Sequence, residues 1–247
     1  MKLNDKIIIV TGGNGLIGQA IINYLFCNGA FVINVDIANT SAVESSFYYK
    51  CDITDTEAVK QMVIMVIEKF KRIDGLVNNA YPRTSDWGNI FENVSLDSWK
   101  QNVDMQLNSC FHLSQLVLAE MKLKRSGSIV NIASIYGIVG NDFSVYEEVE
   151  GMTSPVAYSA IKGGIINLTR YLASYFGPFS IRVNCVSPGG VFNNQAESFV
   201  KKFETKVPLR RMASPNDIAP SVAFLLSDDA TYITGHNLVV DGGWTAI

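Results

Sequence analysis

Cysteine is scarce and scattered. Cys27, Cys51, Cys110 and Cys185 stand far apart with no C-x-x-C pair, so neither a disulfide framework nor a zinc site is indicated. Long apolar runs are missing too: stretches such as 62–67 fall far short of the roughly 18 residues a bilayer-spanning helix needs. Lys2 and Lys6 lead straight into a strand-like run without the apolar segment and cleavage site of a signal peptide, so a cytoplasmic location is expected. Positive charge is not in excess. The formal net charge is −3, which argues against the electrostatic footprint of a nucleic-acid binder. Only 17% of the chain is charged, against 48% apolar, and that balance excludes a disordered or fibrous chain. No metal, nucleic-acid or membrane partner is expected; a small-molecule substrate is.

What is present alternates short β-branched runs with helical patterns, and that is the signature of a parallel sheet covered by helices. Strands are expected at 6–10, 30–35, 47–50, 75–79, 128–133, 181–186 and 237–240. Between them, residues 16–27 have helical spacing and stop at Asn28-Gly29. Thr54-Asp55-Thr56-Glu57 has capping-box spacing ahead of a helix to about Phe70. Long helices are expected at 99–122 and 157–176, and a late one after Ser214-Pro215. The 247 residues fit one domain, 1–247, with loops at about 134–157 and 188–213 for substrate. The fold class is α/β: a doubly wound Rossmann-type domain, seven-stranded and mostly parallel, with helices on both faces.

The first strand ends in Val10-Thr11-Gly12-Gly13-Asn14-Gly15-Leu16-Ile17-Gly18, and a helix opens inside that run. Glycines at such a turn let the backbone approach a pyrophosphate, which the helix N-terminus attracts with free N–H groups and a positive dipole. Gly18 would let the helix pack closely on the sheet. Asp36 ends the second strand, where a carboxylate accepts from the ribose hydroxyls of NAD and repels the 2′-phosphate of NADP. No Lys or Arg in 34–39 would neutralise that phosphate. NAD is the expected cofactor.

Tyr158-Ser159-Ala160-Ile161-Lys162 places a phenol and an ammonium four residues apart on one helix face. A neighbouring Lys⁺ favours phenolate and makes the tyrosine a usable acid–base group. Together with residues 11–18, Asp52-Ile53, Asn78-Asn79-Ala80, Asn131-Ile132-Ala133-Ser134, Pro188-Gly189 and 239–243, this order of motifs resembles the short-chain dehydrogenase/reductase family over essentially the whole chain. The resemblance implies that Tyr158 is the acid/base, that Ser134 hydrogen-bonds the same substrate oxygen, and that Lys162 holds the nicotinamide ribose. It implies Gly12, Asn14, Gly15, Leu16 and Ile17 at the pyrophosphate and Asp52 and Ile53 at the adenine. Asn79 and Ala80 would lie by the adenosine ribose, Val191 and Asn193 by the carboxamide. A homo-oligomer, tetramer or dimer, with 99–122 and 157–176 in a helix interface, is also implied.

Three departures from the family stand out. Tyr81 replaces the glycine of Asn-Asn-Ala-Gly. Gln106 stands where an Asn usually holds a proton-relay water. Ser134 and Tyr158 are 24 positions apart, about twice the family's spacing, because residues are inserted around 140–155. The insert carries Asp142, Glu147, Glu148 and Glu150, which disfavours an anionic substrate unless Lys201, Lys202, Arg210 or Arg211 compensates. The expected function is interconversion of a secondary alcohol and a ketone by hydride transfer, on a sugar-like substrate as in members of surface-sugar and flagellin-modification pathways. Alternatives are a silent dinucleotide-binding regulator, or an epimerase or dehydratase on the same fold. The flanking strand and helix look complete without the insert, so it is expected to serve the substrate and not the fold.

Overall fold

Isoleucine and valine alternate sides along a strand, so a run buried on both faces needs a helix layer above and below. In the computed structural model, which describes residues 3–149, 151 and 153–247, β1 (Ile7–Thr11) is such a run, buried at every position. Lys2 and Glu150 lie outside the described residues. Ile7 and Ile9 face one core, with α2 (Thr56–Phe70), α4 (Ser109–Lys124) and α5 (Val156–Phe176). Ile8 and Val10 face the other, with α1 (Leu16–Cys27) and α7 (Pro215–Leu226).

The remaining strands are β2 (Phe31–Asp36), β3 (Phe47–Lys50), β4 (Gly75–Asn78), β5 (Gly127–Ile132), β6 (Ile181–Pro188) and β7 (Asn237–Val240). Their order is β3-β2-β1-β4-β5-β6-β7, and every neighbouring pair is parallel. The sheet is therefore wholly parallel. Among the described residues no helix is long and apolar enough to cross a membrane.

Local capping departs from expectation in one place. α2 is capped by Asp55, not Thr54: its carboxylate accepts the N–H groups of Glu57 and Ala58, both at 3.0 Å. At α7 the anticipated Ser214 cap forms, with its N–H and hydroxyl donating to Asp217. The single helix expected at 99–122 begins earlier, at α3 (Leu96–Val103), and passes through a π-helical turn over Asp104–Asn108 before α4. One extra residue in a turn leaves the overall pattern helical, so periodicity could not reveal it. α6 (Glu197–Lys206) was not anticipated at all, although Phe199 and Phe203 mark an apolar face four residues apart.

Contrary to the expectation that it leaves the fold untouched, the described part of the insert is tied into the core, while its Tyr146 also borders the cleft described below. Asp142 starts a short turn over Phe143–Val145 by accepting the Ser144 N–H at 3.0 Å. Val145 is fully buried in a third core with Phe199, Phe203, Val207, Met212 and Trp244. Lys202 pairs with Glu148 at 3.1 Å and Glu147 at 3.4 Å, and Lys206 with Asp142 at 3.0 Å. Insert and α6 thus form one wall. Val145→Ala should cost about 2 kcal/mol from lost burial and the void left behind. A lowered midpoint in thermal or denaturant unfolding checks this, and an unchanged midpoint would mean the insert sits loosely.

Candidate active site

The strand order runs outward in both directions from β1 and β4, which opens a crevice at their C-terminal ends. The two ends are tied together by Thr11. Its hydroxyl accepts the N–H groups of Asn79 at 3.0 Å and Ala80 at 3.1 Å and donates to the Val77 carbonyl at 3.3 Å. The Asn79 amide returns to the carbonyls of Thr11 and Gly12, at 2.9 and 3.0 Å. Gly12 sits at φ +63°, and a Cβ there would lie 2.7 Å from the Ala80 Cα, so no other residue fits.

α1 starts at Leu16 behind Gly15, with no side-chain cap and no acid in its first turn. Its first N–H groups and dipole are left facing the crevice. A Cβ at Gly18 would come within 2.2 Å of the Gly12 carbonyl. The close contact foreseen for Gly18 is therefore with the turn itself, not with the sheet.

One cleft of about 680 Å³ runs from this turn across the sheet ends. Gly12, Gly15, Leu16, Ile17 and Asp36 border one end, and Asn79 and Ala80 the middle. Ser134, Tyr158 and Lys162 border the other, with Val191 and Asn193 opposite. Asp36 is oriented by the N–H groups of Asn14 at 3.0 Å and Ala38 at 3.1 Å.

Four expected site residues do not border the cleft. Asn14 braces it from behind, its side chain bonding the Thr40 carbonyl, the Ala42 N–H and Asn34. Asp52 accepts the Thr54 N–H and hydroxyl in the turn before α2, while Ile53 packs on the first core. Gln106 is buried in the π-helical turn, and neither polar atom of its amide has a partner among the described residues.

Tyr158 and Lys162 lie one turn apart on α5, so the i, i+4 spacing brings both to the cleft. Lys162 is buried and donates to the Ile132 carbonyl at 2.8 Å. Its Nζ lies 5.5 Å from the Tyr158 ring centre and 5.6 Å from that of Tyr81. Burial pulls the Lys162 ammonium down to about 8. Burial likewise raises the Tyr158 phenol, against a hydrogen bond with Ser134 that lowers it. The sequence led to the expectation of a phenol pushed toward phenolate by Lys162. In the protein alone burial dominates, and Tyr158 is held as a proton donor.

Sequence reasoning overlooked the collar around that phenol. Tyr81 and Trp87 pack edge-on against Tyr158, with ring centres 5.6 and 6.2 Å away. Tyr81 was noted only as a bulky departure. Trp87 and Arg83 reach the site from the loop after β4, and nothing in their local pattern marks them.

A family model described as enoyl-(acyl carrier protein) reductase matches residues 16–245. Flagellin modification protein A of Campylobacter coli is 34% identical over 254 residues, covering 98% of this chain and 99% of that one. The chain belongs to the short-chain dehydrogenase/reductase family. Among other relatives of this dehydrogenase/reductase chain, the 7alpha-hydroxysteroid dehydrogenase of Bacteroides fragilis is 31% identical, covering 99% of this chain and 96% of its own. A solved short-chain dehydrogenase from Leptospira borgpetersenii with bound NAD+ superposes with a TM-score of 0.90 at 35% identity, over 99% of this chain and 94% of that one.

The buried ammonium makes this dehydrogenase/reductase pH-sensitive in a defined direction. A lysine at about 8 when folded and roughly 10.4 when unfolded binds fewer protons in the folded state between those values. Stability therefore rises as pH climbs through that window. Lys162→Met should raise the thermal midpoint at pH 7, and its advantage should shrink from pH 8 toward 10. Melts of both proteins across that range would show converging curves; parallel curves would contradict the burial argument.

Proposed function

We propose that the chain is an NAD-dependent oxidoreductase that interconverts a secondary alcohol and a ketone. The observation that carries this reading is a single cleft with an uncapped, glycine-lined helix start and Asp36 at one end, and Ser134, Tyr158 and Lys162 at the other. The cradle fits a dinucleotide: a side chain at Gly12 would collide with Ala80, and no acid of α1's first turn would repel a pyrophosphate. Gly12, Gly15, Leu16 and Ile17 would hold that pyrophosphate, with Asn14 bracing the turn. Asp36 would accept from the ribose, with Asp52 and Ile53 set back behind the adenine end, in the turn before α2 and on the first core. Asn79 and Ala80 would flank the adenosine ribose, and Val191 and Asn193 the carboxamide. The NAD+ bound in the Leptospira relative supports the choice of cofactor. When bound, the dinucleotide supplies the hydride chemistry.

The chain's own residues then handle the proton. Tyr158 Oη gives its proton to a carbonyl oxygen in reduction and takes it back in oxidation. The Ser134 hydroxyl donates to the same oxygen as charge develops there. Lys162 holds the ribose and, with its positive charge, eases departure of the phenolic proton. Gln106, set back from the cleft with an amide unpartnered among the described residues, would hold a water behind the site that resupplies protons. The proposed substrate is polar and sugar-like, and the relative's name adds only that it takes part in flagellin modification. The proposal includes a cytoplasmic homo-oligomer paired through α4 and α5, which expose Phe111, Leu123, Tyr171 and Tyr175.

Tyr158→Phe should reduce turnover by roughly two or more orders of magnitude and leave NADH affinity nearly unchanged. Absorbance at the NADH band with a panel of sugars and polyols, and fluorescence titration with NADH, measure the two. Near-normal turnover would overturn the assigned mechanism. Asp36→Ser with Ile37→Arg should weaken NAD binding and admit NADP, because a charge-assisted phosphate contact replaces repulsion. A wild-type preference for NADPH in steady-state kinetics would contradict the role given to Asp36.

A further inference from the structure

Charge near the reacting end of the cleft is sparse, which makes each charged group there telling. The charged side chains bordering the cleft are Asp36, Arg83 and Lys162. Asp36 stands at the dinucleotide end, oriented by two backbone N–H groups. Lys162 is buried against the Ile132 carbonyl. Arg83 has no carboxylate partner among the described residues: its guanidinium lies 5.5 Å from the Tyr81 ring centre, and Tyr81 in turn packs 5.6 Å from the ring of Tyr158.

Of the acids that argued against an anionic substrate, the described ones, Asp142, Glu147 and Glu148, do not border the cleft. Glu147 and Glu148 pair with Lys202, and Asp142 with Lys206. The bases named as compensators are engaged elsewhere as well. Lys201 pairs with Glu197 at 2.6 Å and Arg211 with Asp217 at 2.7 Å. Arg210 donates to the Thr205 carbonyl at 2.6 Å. Across the cleft the wall is Tyr136, Tyr146, Phe199, Phe203 and Met212, which offers contact area but no charge.

We infer that Arg83 is a specificity-determining residue that binds an anionic group of the substrate, a carboxylate or a phosphate, one aromatic ring away from Tyr158. The substrate class is then a hydroxy or oxo compound whose reacting carbon lies a few bonds from that anion. Tyr81 serves as the platform: its ring and hydroxyl steady the guanidinium, and the N–H groups not spent on that hydroxyl can contact carboxylate or phosphate oxygens. The inference rests on the dehydrogenase reading of the same cleft and narrows its substrate.

The test uses matched pairs that differ in the anion: 2-butanol against 3-hydroxybutyrate for a carboxylate, and sorbitol against sorbitol 6-phosphate for a phosphate. The wild type should favour the anionic member of at least one pair by roughly tenfold or more in kcat/KM, the scale of one charged hydrogen bond. Arg83→Gln should lose that advantage chiefly through KM, with NADH affinity unchanged, and Arg83→Lys should keep part of it. Preference for the neutral members, an anion preference that survives Arg83→Gln, or loss of NADH affinity in that variant would overturn the inference. If NADH binds but no pair is turned over, the dehydrogenase reading fails first. Titration of the NADH-loaded protein with inorganic phosphate and with acetate, followed by tryptophan fluorescence, then decides separately. Saturable binding weakened at least tenfold by Arg83→Gln upholds the anion site, and binding that is absent or indifferent to Arg83 refutes it.

Discussion

The site depends on one hydroxyl. Strands β1 and β4 are neighbours that lead to opposite flanks of the sheet, and nothing in strand pairing alone fixes how their trailing loops meet. The Thr11 hydroxyl does so by accepting two consecutive backbone N–H groups from the far strand. Once Asn79 and Ala80 are docked there, Ala80 presses on Gly12 closely enough to exclude a side chain, and Tyr81 is aimed at α5. A local hydrogen bond thereby sets the spacing between the phosphate cradle and the aromatic collar. Both ends of the cleft inherit their positions from it.

Beneath the cleft runs a buried polar chain that reaches the same result from below. Asn78 donates to Ser114 and Asn131, and Asn131 to Thr169, joining β4, β5, α4 and α5. Such groups are costly to bury unless every partner is in place, so they select one register and one helix docking. Gln106 is an exception, an amide with neither bond made among the described residues, lodged in the π-helical turn where the helix loses its regular ladder.

Much of this was legible from residue order because the informative contacts are short in sequence. The turn at 11–18, Asp36 at a strand end and the Tyr158/Lys162 pair are each set by local geometry, and the structure brings all of them to one cleft. Parallel strands buried on both faces betray themselves by unbroken Ile and Val. What stayed hidden is long-range. Val145 looks like any loop valine until Phe199 and Phe203 cover it. Arg83 and Trp87 acquire meaning only when β4 delivers their loop to α5. Asp55 and Thr54 are competing caps, and a register difference of one residue is beyond pattern reading. The phenol's environment also escaped, since burial is a property of the folded whole and outweighs a neighbour's charge here.

The ion pairs joining the insert to α6 have a different consequence. Lys202, Lys206, Glu147 and Glu148 are all partly in water, where mobile ions screen attraction over a Debye length of about 8 Å at physiological ionic strength. The cradle end of the cleft is held by backbone hydrogen bonds and glycine contacts that salt hardly touches. Around the cleft, ionic strength therefore acts more on the ties between insert and α6 than on the hydrogen bonds of the cradle. As salt rises, the exposed ties that join insert to α6 weaken, and the wall is left to the apolar contacts of Val145 with Phe199 and Phe203.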